Sequence, residues 1–92
     1  MEELIRYRVT GRVQGVFFRD CTCGAAGDAG VTGWVRNNTD GSVVGEAWGG
    51  TAAIDRFVSW LHRGSPHSRV DAVELLERRE APNPFDRFET RY

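Results

Sequence analysis

Residues 11–19, with the sequence Gly-Arg-Val-Gln-Gly-Val-Phe-Phe-Arg, constrain the fold of this chain more than any other stretch. They follow a run, residues 5–9, in which apolar side chains occupy every second position, the period of a half-buried strand. They precede a segment of small residues, 20–29, for which we predict a helix with Asp20 as its N-cap. The stretch is therefore predicted to be a loop that joins a strand to a helix.

A loop of this composition in this position suits the binding of an anion. Its backbone N–H groups can converge on an oxyanion, the helix N-terminus adds positive potential, and Arg19 supplies a bidentate charge. The spacing is not the GxxxxGK[ST] of nucleotide-binding loops, and the chain contains no lysine. From these residues alone, a phosphate or carboxylate site has the same weight as a tight glycine turn with a surface arginine.

The composition of the chain is that of one globular domain over residues 1–92. Hydrophobic residues make up 40% and charged residues 27%, which is ordinary for a folded protein. The net charge is −1, so no overall field attracts nucleic acid or an anionic membrane. The N-terminus lacks a basic region followed by an apolar stretch, so we expect a soluble cytoplasmic protein.

The metal-binding residue types are few and poorly spaced. Cys21 and Cys23 lie two positions apart, and on a helix such residues face different sides, so we expect free thiols rather than a disulfide. His62 and His67 are the only histidines. Because no four-ligand set is evident, we predict that the protein uses no metal and no cofactor.

Periodicity and turn signals predict five strands and two helices. The strands are expected at about 4–10, 31–37, 42–48, 69–79 and 88–92, with an Asp40-Gly41 hairpin turn between the second and third. The first helix covers about 20–29, and the second is capped by Thr51 and ended by Gly64. The residues predicted to form one face of each helix are Thr22, Ala25, Ala26, Ala29, Ile54, Phe57, Val58 and Leu61. Val73 and Leu75 are the clearest alternating pair of the fourth strand.

The resulting order is β-α-β-β-α-β with a short C-terminal fifth strand. It describes an α+β, ferredoxin-like sandwich, in which both helices pack on one face of an antiparallel sheet. This topology hosts enzymes, metal carriers and RNA-binding modules, so it does not by itself identify a function.

Two stretches stand out, residues 11–19 and the segment that begins Gly33-Trp-Val-Arg-Asn37 and continues with Gly41-Ser-Val43 and Gly49, and together they resemble the small acylphosphatases. Residues 11–19 are similar to the phosphate-binding loop of that family, which ends on its essential arginine. Gly33-Trp-Val-Arg-Asn37, followed by Gly41-Ser-Val43 and Gly49, is similar to the second motif of the family, with its catalytic asparagine at Asn37. The likeness continues through residues 64–71 to the terminal strand and so covers essentially the whole chain.

The resemblance implies hydrolysis of the carboxyl–phosphate bond of an acyl phosphate, which gives a carboxylate and inorganic phosphate. We expect a stand-alone enzyme, and we expect it to be a monomer because no extra apolar face is evident in the sequence. The resemblance also implies that Arg19 binds the phosphoryl group, that Asn37 positions the attacking water, and that loop amides bind the other phosphate oxygens. Those amides belong to Gln14, Gly15, Val16, Phe17 and Phe18. A carboxylate of low basicity leaves without a general acid, so positioning and charge stabilisation suffice.

Other interpretations remain open at this stage. An RNA-binding module of the same topology requires exposed aromatic side chains on a basic sheet face, and the third strand offers only Trp48. A non-catalytic anion-binding regulator has the same loop without turnover, and a related domain of a larger carbamoyl-phosphate enzyme is a further alternative. We expect Arg12 to be a solvated residue beside the loop rather than a second phosphate ligand. The alternative to a water-positioning role for Asn37 is an Asx turn that opens the hairpin.

Overall fold

The computed structural model describes all 92 residues and contains five strands and two helices. The elements are β1 (Glu2–Arg12), α1 (Phe18–Ala29), β2 (Thr32–Asn37), β3 (Val43–Gly50), α2 (Thr51–Arg63), β4 (Arg69–Glu80) and β5 (Phe88–Arg91). This order confirms the predicted α+β, ferredoxin-like fold with a short fifth strand. Neither helix is long and apolar enough to cross a membrane.

The five strands form one sheet in the order β4-β1-β3-β2-β5. Every neighbouring pair is antiparallel except β2 and β5, which run parallel, so the prediction of a purely antiparallel sheet needs this correction. Because β1 and β2 both run antiparallel to β3, they run parallel to each other. Consequently β1, β2 and β5 all finish at the same end of the sheet, which we call the carboxyl end.

The core lies between the sheet and the two helices. Alternate residues of β1, including Ile5, Tyr7 and Val9, are completely buried against α2 and the neighbouring strands. The Tyr7 hydroxyl donates a hydrogen bond to the Trp34 carbonyl (3.0 Å), and burial raises the pKa of this phenol well above its ordinary value. The bond requires Gly45, because a Cβ at that position would collide with the Tyr7 ring and the Trp34 carbonyl.

Both predicted helix caps differ from the structure. The helix α1 begins at Phe18, its N-cap is Phe17 in the left-handed conformation, and Asp20 lies inside the first turn without capping anything. The N-cap of α2 is Gly50, while the Thr51 hydroxyl donates to the Met1 carbonyl (3.4 Å) instead. The amide groups at the start of α1 therefore have no side-chain cap.

The positions predicted to form one face of each helix are largely buried, whereas the alternating pair of β4 is not. Thr22, Ala26 and Ala29 are buried together with Phe18, and Ile54, Phe57 and Leu61 are completely buried. Ala25, Val58 and Val73 are only partly buried, and Leu75 is 40% exposed. The alternation fails on β4 because this is an edge strand whose pairing with β1 shifts by one residue beside Leu75.

The turn between β2 and β3 is held by one carboxylate. Asp40 accepts hydrogen bonds from the backbone N–H (2.9 Å) and the hydroxyl of Ser42, and the Arg8 guanidinium donates to it at 2.7 Å. The Ser42 hydroxyl and amide, with the Arg8 charge, hold the pKa of Asp40 well below its ordinary value. Gly41 has φ 93°, as the predicted Asp-Gly turn requires.

The two helical glycines of α1 predict a simple gain in stability. A Cβ built on Gly24 or Gly27 meets no atom within 4 Å, and neither residue has a positive φ. We expect Gly24→Ala and Gly27→Ala each to raise the free energy of unfolding by about 0.4–1 kcal/mol, measured by urea denaturation. Gly11→Ala is the matched control, since its Cβ would collide with the Arg69 carbonyl and its φ is 122°. A loss of stability in the helical variants contradicts the account.

The Asp40 hydrogen bonds predict a pH-dependent contribution to stability. A lowered carboxyl pKa stabilises the native state above the ordinary aspartate value of about 4, and this contribution is lost as the pH falls below it. We expect Asp40→Asn to be less stable than the wild type at pH 7 and the difference to shrink at pH 3, measured by urea denaturation. Asp28→Asn is the control, because the Asp28 carboxylate makes no hydrogen bond or ion pair. A difference that persists undiminished at pH 3 contradicts the assignment.

Candidate active site

The carboxyl end of the sheet contains a cavity of about 430 Å³. It forms there because β1 leads through the loop at residues 13–17 into α1, while β2 and β5 finish beside that loop. Five of the predicted site residues border it, namely Gly15, Phe17, Phe18, Arg19 and Asn37. The remaining lining residues are Val13, Asp20 and Tyr92, and the predicted residues Gln14 and Val16 do not border the cavity.

The loop at residues 13–17 has free backbone donors. None of the backbone N–H groups from Gln14 to Asp20 donates to an acceptor in the protein, and the first acceptor-bound amide is that of Cys21, on the Phe17 carbonyl (3.1 Å). The amides of Phe18, Arg19 and Asp20 are free because they lie in the first turn of α1, where backbone N–H groups have no acceptor within the helix and no side chain caps them. A row of free amides at a helix N-terminus is a site for an anion.

Two residues give the loop its curvature. Gly15 has φ 74° and Phe17 has φ 59°, and Phe17 is the only non-glycine residue with a positive φ. A left-handed residue followed by a helical one turns successive N–H groups toward a common point. The left-handed conformation of a phenylalanine costs on the order of 1–2 kcal/mol, which the adjoining anchor Phe18 offsets by packing its buried ring against Trp60.

A buried serine fixes the orientation of the loop. The Ser65 hydroxyl donates to the Val16 carbonyl at 3.1 Å, and both groups are buried. Because the carbonyl and the N–H of a trans peptide point in opposite directions, the Phe17 N–H points away from Ser65. The hydrogen bond thus holds one loop amide outward from the protein interior.

Arg19 is the second residue of α1 and borders the cavity with a partly buried side chain. Its guanidinium makes no ion pair and no hydrogen bond within the protein, unlike Arg8 and Arg78 on other surfaces. It lies 4.8 Å from the centroid of the Tyr92 ring, a cation–π distance. The cavity therefore has a positive charge that no protein carboxylate neutralises by contact.

Asn37 is the last residue of β2 and lies opposite Val43 of β3, on the helix-covered face of the sheet. Its Oδ1 atom is buried and has no hydrogen-bond partner. An unpaired buried acceptor destabilises the native state by about 1–3 kcal/mol, so its persistence beside the cavity points to a ligand donor. The Asx-turn role is not observed, since Asp40 rather than Asn37 caps the following turn.

Sequence reasoning missed three contributors to the site. Tyr92 borders the cavity because β5 runs parallel to β2, which the expected antiparallel sheet did not indicate. Ser65 belongs to the connection between α2 and β4, and nothing in its local sequence marks it as a loop anchor. Gln14 was assigned a backbone role, but its side chain makes two hydrogen bonds. Gln14 is the only glutamine in the chain, and this could have drawn attention to its side chain.

The remaining sequence predictions fall outside the cavity. Arg12 is exposed and makes no ion pair, and His62 and His67 are exposed and do not border the cavity. No group of three or more His, Cys, Asp or Glu side chains is arranged to hold a metal ion. Cys21 and Cys23 are free thiols, and Cys23 Sγ lies 3.3 Å from Thr90 Oγ1.

Comparison with known proteins identifies the family of the chain. The acylphosphatase family model matches residues 5–90. An acylphosphatase from Chromohalobacter salexigens is 53% identical over 76 residues, which are 83% of each chain. One from Salinibacter ruber is 42% identical over 90 residues, covering 98% of this chain and 94% of that protein. The crystal structure of an acylphosphatase from Bacillus subtilis matches with a TM-score of 0.91 and 35% identity over the whole of both chains. The chain belongs to the acylphosphatase family.

Proposed function

We propose that the cavity at the carboxyl end of the sheet is the site at which this chain hydrolyses acyl phosphates. Membership of the family makes the chain an acylphosphatase, a hydrolase that converts a small acyl phosphate into a carboxylate and inorganic phosphate. The observation that carries the location is the row of unpaired amides, Gln14 to Asp20, beside the unpaired guanidinium of Arg19. An anionic phosphoryl group complements both.

Arg19 and the loop amides bind the phosphoryl group in this proposal. The planar guanidinium donates two hydrogen bonds to phosphate oxygens, which the point charge of a lysine does not reproduce. The N–H groups from Gln14 to Phe18 donate to the other oxygens. Charge on the equatorial oxygens of a transferring phosphoryl group is stabilised by fixed donors of this kind.

Asn37 positions the attacking water. Its Oδ1 atom, buried and without a partner, accepts a hydrogen bond from the water. A neutral amide performs this role without repelling the dianionic phosphate, whereas an aspartate at the same place would repel it. The side chain thus aligns the water oxygen with the phosphorus and the leaving oxygen.

The reaction then needs no general acid. The bond between the phosphorus and the acyl oxygen breaks, the water oxygen bonds to the phosphorus, and the departing carboxylate is stable without a proton. The proton of the water passes to the phosphate itself. Neither His62 nor His67 borders the cavity, in agreement with this route. A bell-shaped pH–rate profile that disappears when a histidine is replaced would contradict it.

We further propose a cytoplasmic monomer, a single domain over residues 1–92, that binds neither nucleic acid nor membrane. Two free thiols fit a reducing compartment. On the face of the sheet opposite the helices, the guanidinium groups of Arg36 and Arg91 lie over the Trp34 ring, and Arg6 pairs with Glu77. These contacts occupy the groups that would stack on RNA bases. Sedimentation of the purified protein and a gel-shift assay with single-stranded RNA test these points.

Three substitutions test the proposed roles through hydrolysis of benzoyl phosphate without added metal. We expect Arg19→Ala and Asn37→Ala each to lower kcat/KM by about 100- to 1000-fold, because each removes a preorganised interaction of the transition state. We expect Arg19→Lys to recover little activity, since an ammonium group cannot make the bidentate contact. Wild-type turnover is expected to persist in the presence of a chelator.

Arg12→Ala is the matched control, because Arg12 adjoins the loop but is exposed and does not border the cavity. We expect it to retain activity within about threefold of the wild type. Full activity of Asn37→Ala would disprove the role of the asparagine. Binding of phosphate without turnover by the wild type would leave an anion-binding regulator as the function.

A further inference from the structure

We propose that the side chain of Gln14 is a positioning residue that fixes the distance between the phosphate-binding loop and the water-positioning Asn37. This inference rests on the proposed function, because it assigns a kinetic consequence to a contact within the same site. It differs from the backbone role that the sequence predicts for Gln14. The contact joins Gln14 to Asn38 and Ser42, which lie 24 and 28 residues further along the chain.

The Gln14 side-chain nitrogen donates two hydrogen bonds to the β2–β3 turn. One goes to the Asn38 carbonyl at 2.8 Å and the other to the Ser42 carbonyl at 2.9 Å. Both acceptors are carbonyl oxygens, so the nitrogen rather than the oxygen of the amide must face them. Asn38 directly follows Asn37, so the bond to its carbonyl acts one residue away from the unpaired Oδ1.

The turn that receives these bonds is itself rigid. The Asn38 N–H donates to the Ser42 carbonyl at 2.8 Å, and Asp40 accepts hydrogen bonds from the hydroxyl and N–H of Ser42. Arg8 on β1 connects Asp40 to the sheet. Gln14 therefore attaches the loop to a fixed body, and movement of the loop relative to Asn37 requires breaking its two bonds.

The chemistry of the contact selects glutamine. A single nitrogen must donate to two neighbouring carbonyls, which a primary amide does without a charge. Glutamate has the same shape but no donor at neutral pH, and its charge would face two carbonyl oxygens. Methionine has a similar length and no hydrogen-bond donor. Each substitution removes the contact while keeping most of the volume of the side chain.

The Gln14 side chain is bound to the β2–β3 turn and does not border the cavity, so the side chain acts through Asn37 and the loop rather than on the substrate. Phosphate affinity depends on Arg19 and the amides, which the loop carries with it when it shifts. Attack by water depends on the position of the phosphorus relative to Asn37. Loss of the contact is therefore expected to lower kcat more than it weakens the binding of phosphate.

The test compares Gln14→Met and Gln14→Glu with the wild type, using benzoyl phosphate for turnover and inorganic phosphate as a competitive inhibitor. We expect kcat to fall by about 10- to 100-fold, while the inhibition constant of phosphate changes by less than about threefold. Retained phosphate inhibition also shows that each variant is folded. Unchanged kcat in both variants, or parallel losses of kcat and phosphate affinity, would overturn the proposal.

Ser65→Ala is the matched control, because the Ser65 hydroxyl also bonds to the loop, but it does so from the connection between α2 and β4 and makes no bond to the β2–β3 turn. We expect it to weaken phosphate inhibition and raise KM with a smaller effect on kcat. In an Asn37→Ala background, Gln14→Met is expected to cause less than about a threefold further loss of kcat, since both changes remove the same alignment. Independent, multiplying losses would overturn the proposal.

A readout without turnover separates this inference from the proposed function. Absence of benzoyl phosphate hydrolysis by the wild type would disprove the function and leave the contact to be judged by NMR. We expect one sharp pair of Asn37 side-chain amide resonances in the wild type, and a shifted or broadened pair in Gln14→Met. Identical Asn37 resonances in the two proteins would overturn the positioning role.

Discussion

The parallel alignment of β1 and β2, imposed by β3 between them, is the constraint on which the site depends. Each strand pairs antiparallel with β3, so both finish at the same end of the sheet. The first strand leads directly into the loop and α1, which places Arg19 there, and the second ends on Asn37. The parallel strand β5 adds Tyr92 at the same end. Residues from three distant parts of the chain thus meet around one cavity without any long loop reaching toward it.

The site keeps polar groups unpaired that a purely structural region would satisfy. The α1 N-terminus has a strained phenylalanine in place of a capping side chain, and Asn37 Oδ1 is buried without a donor. Both features lower the stability of the native state, and neighbouring contacts support the strained loop at Phe17. Phe18 packs in the core beside Phe17, and Ser65 holds the Val16 peptide. The destabilising features therefore lie at the loop amides and at Asn37, the groups to which the proposed mechanism assigns the binding of phosphate and water.

Much of this organisation could be predicted from the sequence, and the rest depended on contacts between distant segments. Alternating apolar residues and an Asp-Gly turn determine the strands, and the glycine-rich loop with Arg19 indicates an anion site. The prediction of Asp20 as the N-cap of α1 was wrong. Capping preferences assume that a side chain of the protein accepts hydrogen bonds from the first N–H groups of a helix, and no side chain does so at α1. The exposure of Leu75 comes from a shift in strand pairing, and the side-chain role of Gln14 comes from a turn 24 residues away. Local pattern contains neither piece of information.

The most direct test of this account is a titration of the ¹⁵N-labelled protein with inorganic phosphate, followed by ¹H–¹⁵N NMR. The account predicts that the largest shifts occur at the backbone amides of Gln14 to Phe18 and at the Arg19 side chain, because these donors have no partner within the protein. The Arg19→Ala variant should show the same amide pattern only at much higher phosphate concentration. Shifts centred on another surface, or no shifts at the loop amides of the folded wild type, would contradict the central claim that this loop is the phosphate site.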